Sequence, residues 1–441
     1  MINKIFLKLE KFVPTKYHQV LNHTGFKRYF ANTGWIFAGQ IFSLFISFFI
    51  GTWIARYLGP ENYGILSYSI AFVGLFGFIS SLGVDGILNR ELIKFPEKRD
   101  ELLGTTFRLK LIGGLIAFLL TILSAFLFST NPLITLLIIL FSFSFVLQAI
   151  NVISIYFQAE TKSKNNVKIL FFTTIISSLL KIIVLFLNKG IIWIAIIFVL
   201  DALWQWIGFV ITYNKYGLKI KDWCFNKNLA QEILKNSWLL MFASAAGFIY
   251  LKIDQIMIGL MLGNYEVGLY SVAVKLTEIW YFIPTAICIS LFPAIINAKK
   301  IKLETYKHRL KNLYILMIAI SIVIIIPITL FAKQIIYTLF GNNYLESINI
   351  LQIYIWSNLS MFLGTAVYQY FMTEDKIKII FIITTLAMIT NIGLNLIFIP
   401  IFNLAGAAYA TLISYSVVPI GGYLYRLYQN WKFKSNTRYS D

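Results

Sequence analysis

Apolar runs of about 20 residues, the length an α-helix needs to cross bilayer hydrocarbon, follow one another along the chain. Short polar stretches separate them from residue 33 to residue 426. The pattern predicts twelve spans, at 33–57, 64–83, 109–128, 132–157, 167–187, 190–213, 237–262, 268–290, 311–331, 347–372, 378–399 and 404–426. One pair of spans carries polar residues out of place. In YLKIDQIMIGLMLGNYEVGLYSVAVKLTEIWYF (250–282), Lys252, Asp254, Lys275 and Glu278 lie where hydrocarbon should be the solvent.

Composition agrees with a membrane protein. Of 441 residues, 59% are hydrophobic, 17% aromatic and 13% charged, against about a quarter charged in a soluble domain. The net charge of +19 is spread over many loops rather than gathered in one patch, so nucleic acid is not an expected partner. Nearly all of the 38 Lys and Arg residues fall on one side of the span map. Lys189 and Lys333 lie on the other side, and Arg56, Lys181, Lys252 and Lys275 lie within spans. Basic loops stay cytoplasmic, so both termini are expected in the cytoplasm and the chain in the cell's cytoplasmic membrane. The basic loops face anionic lipid.

The outer loops are short, and they offer little beyond Glu61, Glu266 and Glu346, each in a different loop. No catalytic pair or nucleophile arrangement is visible, so no enzyme is expected. Cys224 and Cys288 are isolated, and His18, His23 and His308 lack ligand spacing; neither a disulfide, a metal nor a cofactor follows.

The chain repeats itself. LGPENYGILS (58–67) recurs as LGNYEVGLYS (262–271), an offset of 204, and YFQAE (156–160) as YFMTE (370–374), an offset of 214. Six spans per half is even, so the halves insert the same way up as parallel repeats. The expected fold is all-α and integral to the membrane. About 12 transmembrane helices form two six-helix lobes related by that repeat. The expected domains are a basic amphipathic N-terminus (1–31), an N-terminal lobe (32–213), a basic linker (214–235), a C-terminal lobe (236–426) and a tail (427–441). Gly59 and Gly263 end helices as glycine caps, and NKNLAQEILKNS (226–237) suits a short interfacial helix.

Four stretches, in this order, carry a resemblance: GWIFAGQIFSLFISFFIGTWIARYLGPENYGILSYSIAF, GVDGILNREL, the KIDQIMIG to LGNYEVGLYSVAVKL hairpin, and NIGLNLIFIPIFNLAGAAYAT. From about residue 30 to 425 the chain resembles the lipid-linked oligosaccharide flippases. These are the O-antigen and capsule exporters of the multidrug/oligosaccharidyl-lipid/polysaccharide superfamily. The resemblance implies a central cavity, alternating access, and a polyprenyl-diphosphate substrate carrying a short sugar chain. Membrane lipids and other membrane proteins of polysaccharide assembly are the expected partners. Alternatives are a cation-coupled drug or metabolite antiporter of the same superfamily and, less in keeping with the short outer loops, a membrane-embedded polymerase.

Reflection about the turn at 264–265 places Asp254 level with Lys275, and Lys252 level with Glu278, each very roughly 10–20 Å into its helix at 1.5 Å per residue. Charges at such depth pair or face water. They either lock the hairpin or line the cavity. In the cavity, Lys252 and Lys275 would draw diphosphate, and Asp254 and Glu278 would balance charge or take H+ or Na+. The repeat-related positions are Phe48, Ile50, Ala71 and Gly74, so the hairpin fold does not require charge. Further candidates are Arg56, Arg90 near Asp85, and Asp201 with Lys181 as a partner. Tyr250, Tyr270 and Trp280 could stack on sugar rings.

Overall fold

The computed structural model describes residues 24–129, 131–374 and 376–438; of the amphipathic N-terminus expected at 1–31, residues 1–23 lie outside the described residues. Every regular element among them is helical. Hydrocarbon offers no partner for backbone N–H and C=O, and only the helix satisfies both within one segment. The long helices are α1 (Thr24–Gly74), α3 (Arg99–Phe128), α4 (Pro132–Ala159), α5 (Lys164–Phe186), α6 (Ile191–Lys215), α7 (Lys227–Met261), α8 (Asn264–Ile301), α9 (Leu303–Leu330), α11 (Ser347–Thr373) and α12 (Ile377–Arg438). Two short helices, α2 (Asp85–Lys94) and α10 (Ala332–Phe340), lie between them.

Among the described residues ten elements are long and apolar enough to cross a membrane, and two of them, α1 and α12, each join two spans across a non-helical residue. In α1 the break is Gly59 (φ 70°), followed by Pro60, whose fixed φ suits the first residue of a new helix. In α12 it is Asn403 (φ 50°), one of the few side-chain-bearing residue types that tolerate the left-handed region. Counting both sides of each break, all twelve expected spans are present as helices. Gly263 (φ 128°) ends α7 as expected. The short interfacial helix does not form separately. Residues 227–235 are the first turns of α7, because Asn226 caps them by accepting from the amides of Asn228 (2.9 Å) and Leu229 (3.2 Å), and no breaker follows.

The described chain divides into two compact units, residues up to 50 with 76–241, and 51–75 with residues from 242 on. The core of the first packs Leu88, Leu102, Ile153, Phe157, Phe209 and Tyr213. In the second, Tyr250, Ala387 and Tyr415 form one cluster and Val367, Phe371 and Ile383 another. Large apolar side chains such as Leu127, Phe186, Val323 and Leu330 stand 70% or more exposed, the surface a bilayer would cover.

The duplicated motifs meet inside the second unit. A side chain at Gly64 would overlap the carbonyl oxygen of Asn264, and one at Gly268 would overlap that of Pro60. Under the 204-residue offset Pro60 corresponds to Asn264 and Gly64 to Gly268, so contact i–j is returned as j–i. That reciprocity is the mark of a two-fold contact. It also explains why residues 51–75 group with the second half of the chain.

Candidate functional site

The α7–α8 hairpin is the starting point. Lys252 Nζ donates to both carboxylate oxygens of Glu278, at 2.8 and 2.7 Å, with about a quarter of each side chain exposed. The depth-matched pair of the sequence is therefore formed. Lys275 and Asp254, the other matched pair, turn to different partners. The Lys275 ammonium fills the space left by the missing side chain of Gly51 and lies 6.0 Å from the centre of the Tyr63 ring.

Asp254 is 1% exposed and sits in a net of neutral groups. Its Oδ1 accepts from Asn395 Nδ2 at 2.6 Å, and its Oδ2 from the Tyr270 hydroxyl at 3.0 Å and from Thr411 Oγ1. Asn395 Nδ2 also donates to Asn391 Oδ1 (3.1 Å), and Asn391 Nδ2 to Ser414 Oγ (3.0 Å). A buried carboxylate without a cation is costly. An acid among oxygen atoms and neutral donors can stay neutral by holding a proton, or charged by holding a hard cation. Asn391, Asn395 and Thr411 were missed in the sequence. Their only signal there was two amides four residues apart in NIGLN, inside an apolar run.

Beside this net two helices are broken. A 3-10 turn at Ile279–Tyr281 interrupts α8, and a turn at 355–356 interrupts α11. Buried polar atoms gather there: Trp280 Nε1 and both amide atoms of Asn358 have no partner among the described residues, and the Tyr281 hydroxyl has only the neighbouring hydroxyls of Ser357, Tyr354 and Tyr415 beside it. Unpaired buried polar groups cost about 1–3 kcal/mol each, so their concentration marks a place built for something other than packing. Discontinuous helices supply the substrate and ion sites of many transporters. Tyr250 stacks on Tyr415 at 4.4 Å between centroids and lines an apolar cavity of 250 Å³, while Tyr270 is spent on Asp254 and packs edge-on against Tyr354.

The first unit has a different cavity. It measures 340 Å³ and is lined by Gln40, Asn151, Ser154, Gln158, Asn166 and Gln205, with Asp85 at its wall. Asp85 is paired with the nearly buried Lys110 at 2.8 Å. Asn166 Nδ2 donates to the Ser154 carbonyl at 2.9 Å, and its Oδ1 is buried without a partner among the described residues. Amides carry both donors and acceptors, the complement of sugar hydroxyls. Sequence reasoning missed this site, since its amides come from four helices, α1, α4, α5 and α6, that only tertiary packing brings together.

The remaining candidates are structural in their contacts. Arg90 is more than half exposed and pairs with its neighbour Glu91 at 2.8 Å, not with Asp85. Arg56 donates to the Thr338 carbonyl near the end of α10 at 3.3 Å, where a cation meets the negative end of the helix. Asp201 forms the expected pair with Lys181 at 3.0 Å, the ammonium lying 4.1 Å from the centre of the Phe198 ring. Asp201 Oδ1 has no partner among the described residues. Both cysteines are free thiols, Cys224 exposed and Cys288 buried.

Residues 29–299, which is 271 of 441, match the polysaccharide biosynthesis protein family. The chain belongs to that family. Residues 240–397 also match the MatE family. Among curated relatives, a probable low-salt glycan biosynthesis flippase, Agl15 of Haloferax volcanii, is 23% identical over 192 residues. The match takes in 43% of this chain and only 40% of that relative. Among solved structures, an inward-facing multidrug resistance MATE family transporter of the MOP superfamily superposes with a TM-score of 0.73 at 16% identity, covering 89% of this chain and 96% of that one. The lipid II flippase MurJ, in an inward closed conformation, superposes with a TM-score of 0.69 at 16% identity, covering 87% and 86%. This member of the polysaccharide biosynthesis protein family thus shares the fold of both transporters. It is a multi-pass membrane protein.

Proposed function

We propose that this chain is a flippase that moves polyprenyl-diphosphate-linked oligosaccharide from the cytoplasmic to the outer leaflet by alternating access. The observation that carries this reading is the presence of Lys252 and Lys275 deep in the α7–α8 hairpin, where the repeat-related half has only Phe48 and Ala71. An anionic head group gives such lysines a purpose, whereas a cationic drug would be repelled by them. The amide-lined cavity of the first unit adds groups that suit sugar hydroxyls. The membrane potential helps: at about 2.3 kcal/mol per charge per 100 mV, a diphosphate leaving an inside-negative cell with two net charges gains roughly 4–5 kcal/mol. Asp254 is the candidate for coupling to H+ or Na+. The work would be done in the cytoplasmic membrane, beside other polysaccharide-assembly proteins.

A second reading, a cation-coupled drug or metabolite antiporter, is favoured by one observation, the buried Asp254, whose hydrogen-bond partners among the described residues are all neutral. Deletion of the gene followed by lipid extraction separates the two. The flippase reading expects sugar-loaded polyprenyl diphosphate to accumulate in the inner leaflet and surface glycan to fall. Unchanged lipid intermediates and glycan, with no related protein compensating, would overturn it, and altered drug resistance alone would favour the antiporter.

A further inference from the structure

The second unit carries another cavity, of 590 Å³, walled by α9, α11 and α12, with an uneven distribution of chemistry. One end holds Lys307, His308 and Lys311 from α9 and Arg426 from α12; among the described residues no acid lines any part of it. Lys307, Lys311 and Arg426 have no carboxylate partner among the described residues, although nearby Lys299 and Lys302 are paired with Glu374 and Glu304. Beyond the charges the wall turns apolar.

The order along α9 is what a lipid would need. Lys307, Lys311, Tyr314, Ile315 and Ile318 recur at three- and four-residue steps and so share one face. From Lys307 to Ile318 is eleven residues, or about 16 Å at 1.5 Å per residue, near half the roughly 30 Å of bilayer hydrocarbon. On α12, Arg426 stands at the same end as the lysines, and Pro419 lies about 10 Å deeper by the same rise. Both walls therefore run from basic to apolar in one direction, as a membrane does from its surface to its centre. Ile315 is 53% and Ile318 43% exposed, so the groove is open along its side rather than sealed within the core.

We propose that this groove is a binding site for an anionic phospholipid of the membrane, its phosphate held by Lys307, Lys311 and Arg426 and one acyl chain lying along Ile315, Ile318 and Leu363. Basic pockets between transmembrane helices suit such head groups. Bulk anionic phospholipid reaches an open groove in large excess over any rarer lipid. Val367 is shared with the apolar cavity that Tyr250 lines, so a lodged chain packs against the core of this unit and stabilises it. The proposal does not depend on what the protein transports.

The test uses the purified full chain in neutral detergent, with phosphatidylglycerol, phosphatidylcholine, a polyprenyl diphosphate and inorganic diphosphate as separate additions. Native mass spectrometry reads bound lipid, and tryptophan fluorescence reads the unfolding temperature. Phosphatidylglycerol is expected to remain bound and raise that temperature, while phosphatidylcholine and inorganic diphosphate do neither. The triple variant Lys307→Gln, Lys311→Gln, Arg426→Gln should bind it at least tenfold more weakly. A control with Lys219→Gln, Lys221→Gln and Lys227→Gln removes equal charge from the linker and should bind like the parent. Should the triple variant not fold, Ile315→Trp, which obstructs the groove and keeps its charges, must weaken binding instead. Undiminished binding in the groove variants overturns the proposal. Equal loss in the linker control does so too, by making the effect one of net charge. Preference for polyprenyl diphosphate would make the groove a substrate dock, and an equal response to inorganic diphosphate a soluble-anion site; either result also overturns it.

Discussion

Removing one member of the Lys252–Glu278 pair separates its structural from its functional role. The two side chains meet at 2.7 Å with 23% and 26% of their surfaces exposed. Breaking a fully buried pair costs about 3–5 kcal/mol, because the surviving charge is stranded, while an exposed pair is worth 0–1 kcal/mol. At three-quarters burial the cost of Lys252→Met or Glu278→Gln is expected at about 2–3 kcal/mol. Removing both leaves no stranded charge, so the double variant should recover most of that loss, with a coupling of about 1–3 kcal/mol, the upper part of the range for residues in contact. Stability is read by thermal unfolding of the purified protein, and function by surface glycan in a deletion strain carrying each variant. If Lys252 also receives the diphosphate, the double variant is stable and still fails to export. Recovery of export together with stability would reduce the pair to a lock. Single variants within 0.5 kcal/mol of the parent would refute the burial argument itself.

Four further outcomes follow from the same geometry. Asp254→Asn keeps the shape of the carboxylate among hydroxyls that can reverse their hydrogen bonds, so the unfolding temperature should hold while glycan export fails; Asp254→Leu should in addition lose about 1–3 kcal/mol by stranding Asn395. Gly268→Ala and Gly64→Ala press a methyl onto backbone and should each cost at least the 1–3 kcal/mol of overpacking. Gly259→Ala meets only the Tyr68 and Val267 side chains and should cost less, an ordering that thermal unfolding of the three variants checks. Arg56→Met gives up one exposed contact to the Thr338 carbonyl and should change stability by under 1 kcal/mol in the same measurement. Gln40→Leu, Gln158→Leu and Gln205→Leu remove sugar-compatible groups from the first unit's cavity and should lower surface glycan without lowering protein level on an immunoblot.

Much of the architecture was legible because the bilayer constrains it locally. Twelve apolar runs became helices because no other backbone arrangement closes its hydrogen bonds in hydrocarbon, and Gly59 and Gly263 ended two of them where the repeated motif required a positive φ. The Lys252–Glu278 pair could be found by reflection about the turn, since the rise per residue sets depth on both arms of a hairpin. The same arithmetic missed on Asp254 and Lys275. Depth follows from counting residues, but the direction a side chain faces follows from which distant helices pack beside it. Asp254 found Asn395 and Thr411, 141 and 157 residues away along the chain, and Lys275 found the space over Gly51. The grouping of residues 51–75 with the second half rests on the crossing of Gly64 with Gly268, and the amide cavity on side chains from several helices. For this chain, sequence alone determined the twelve helices long enough to span a bilayer and the glycines, Gly59 and Gly263, that end two of them. Tertiary packing decided which charges and amides meet, because that depends on the rotation of each helix against neighbours far away in sequence.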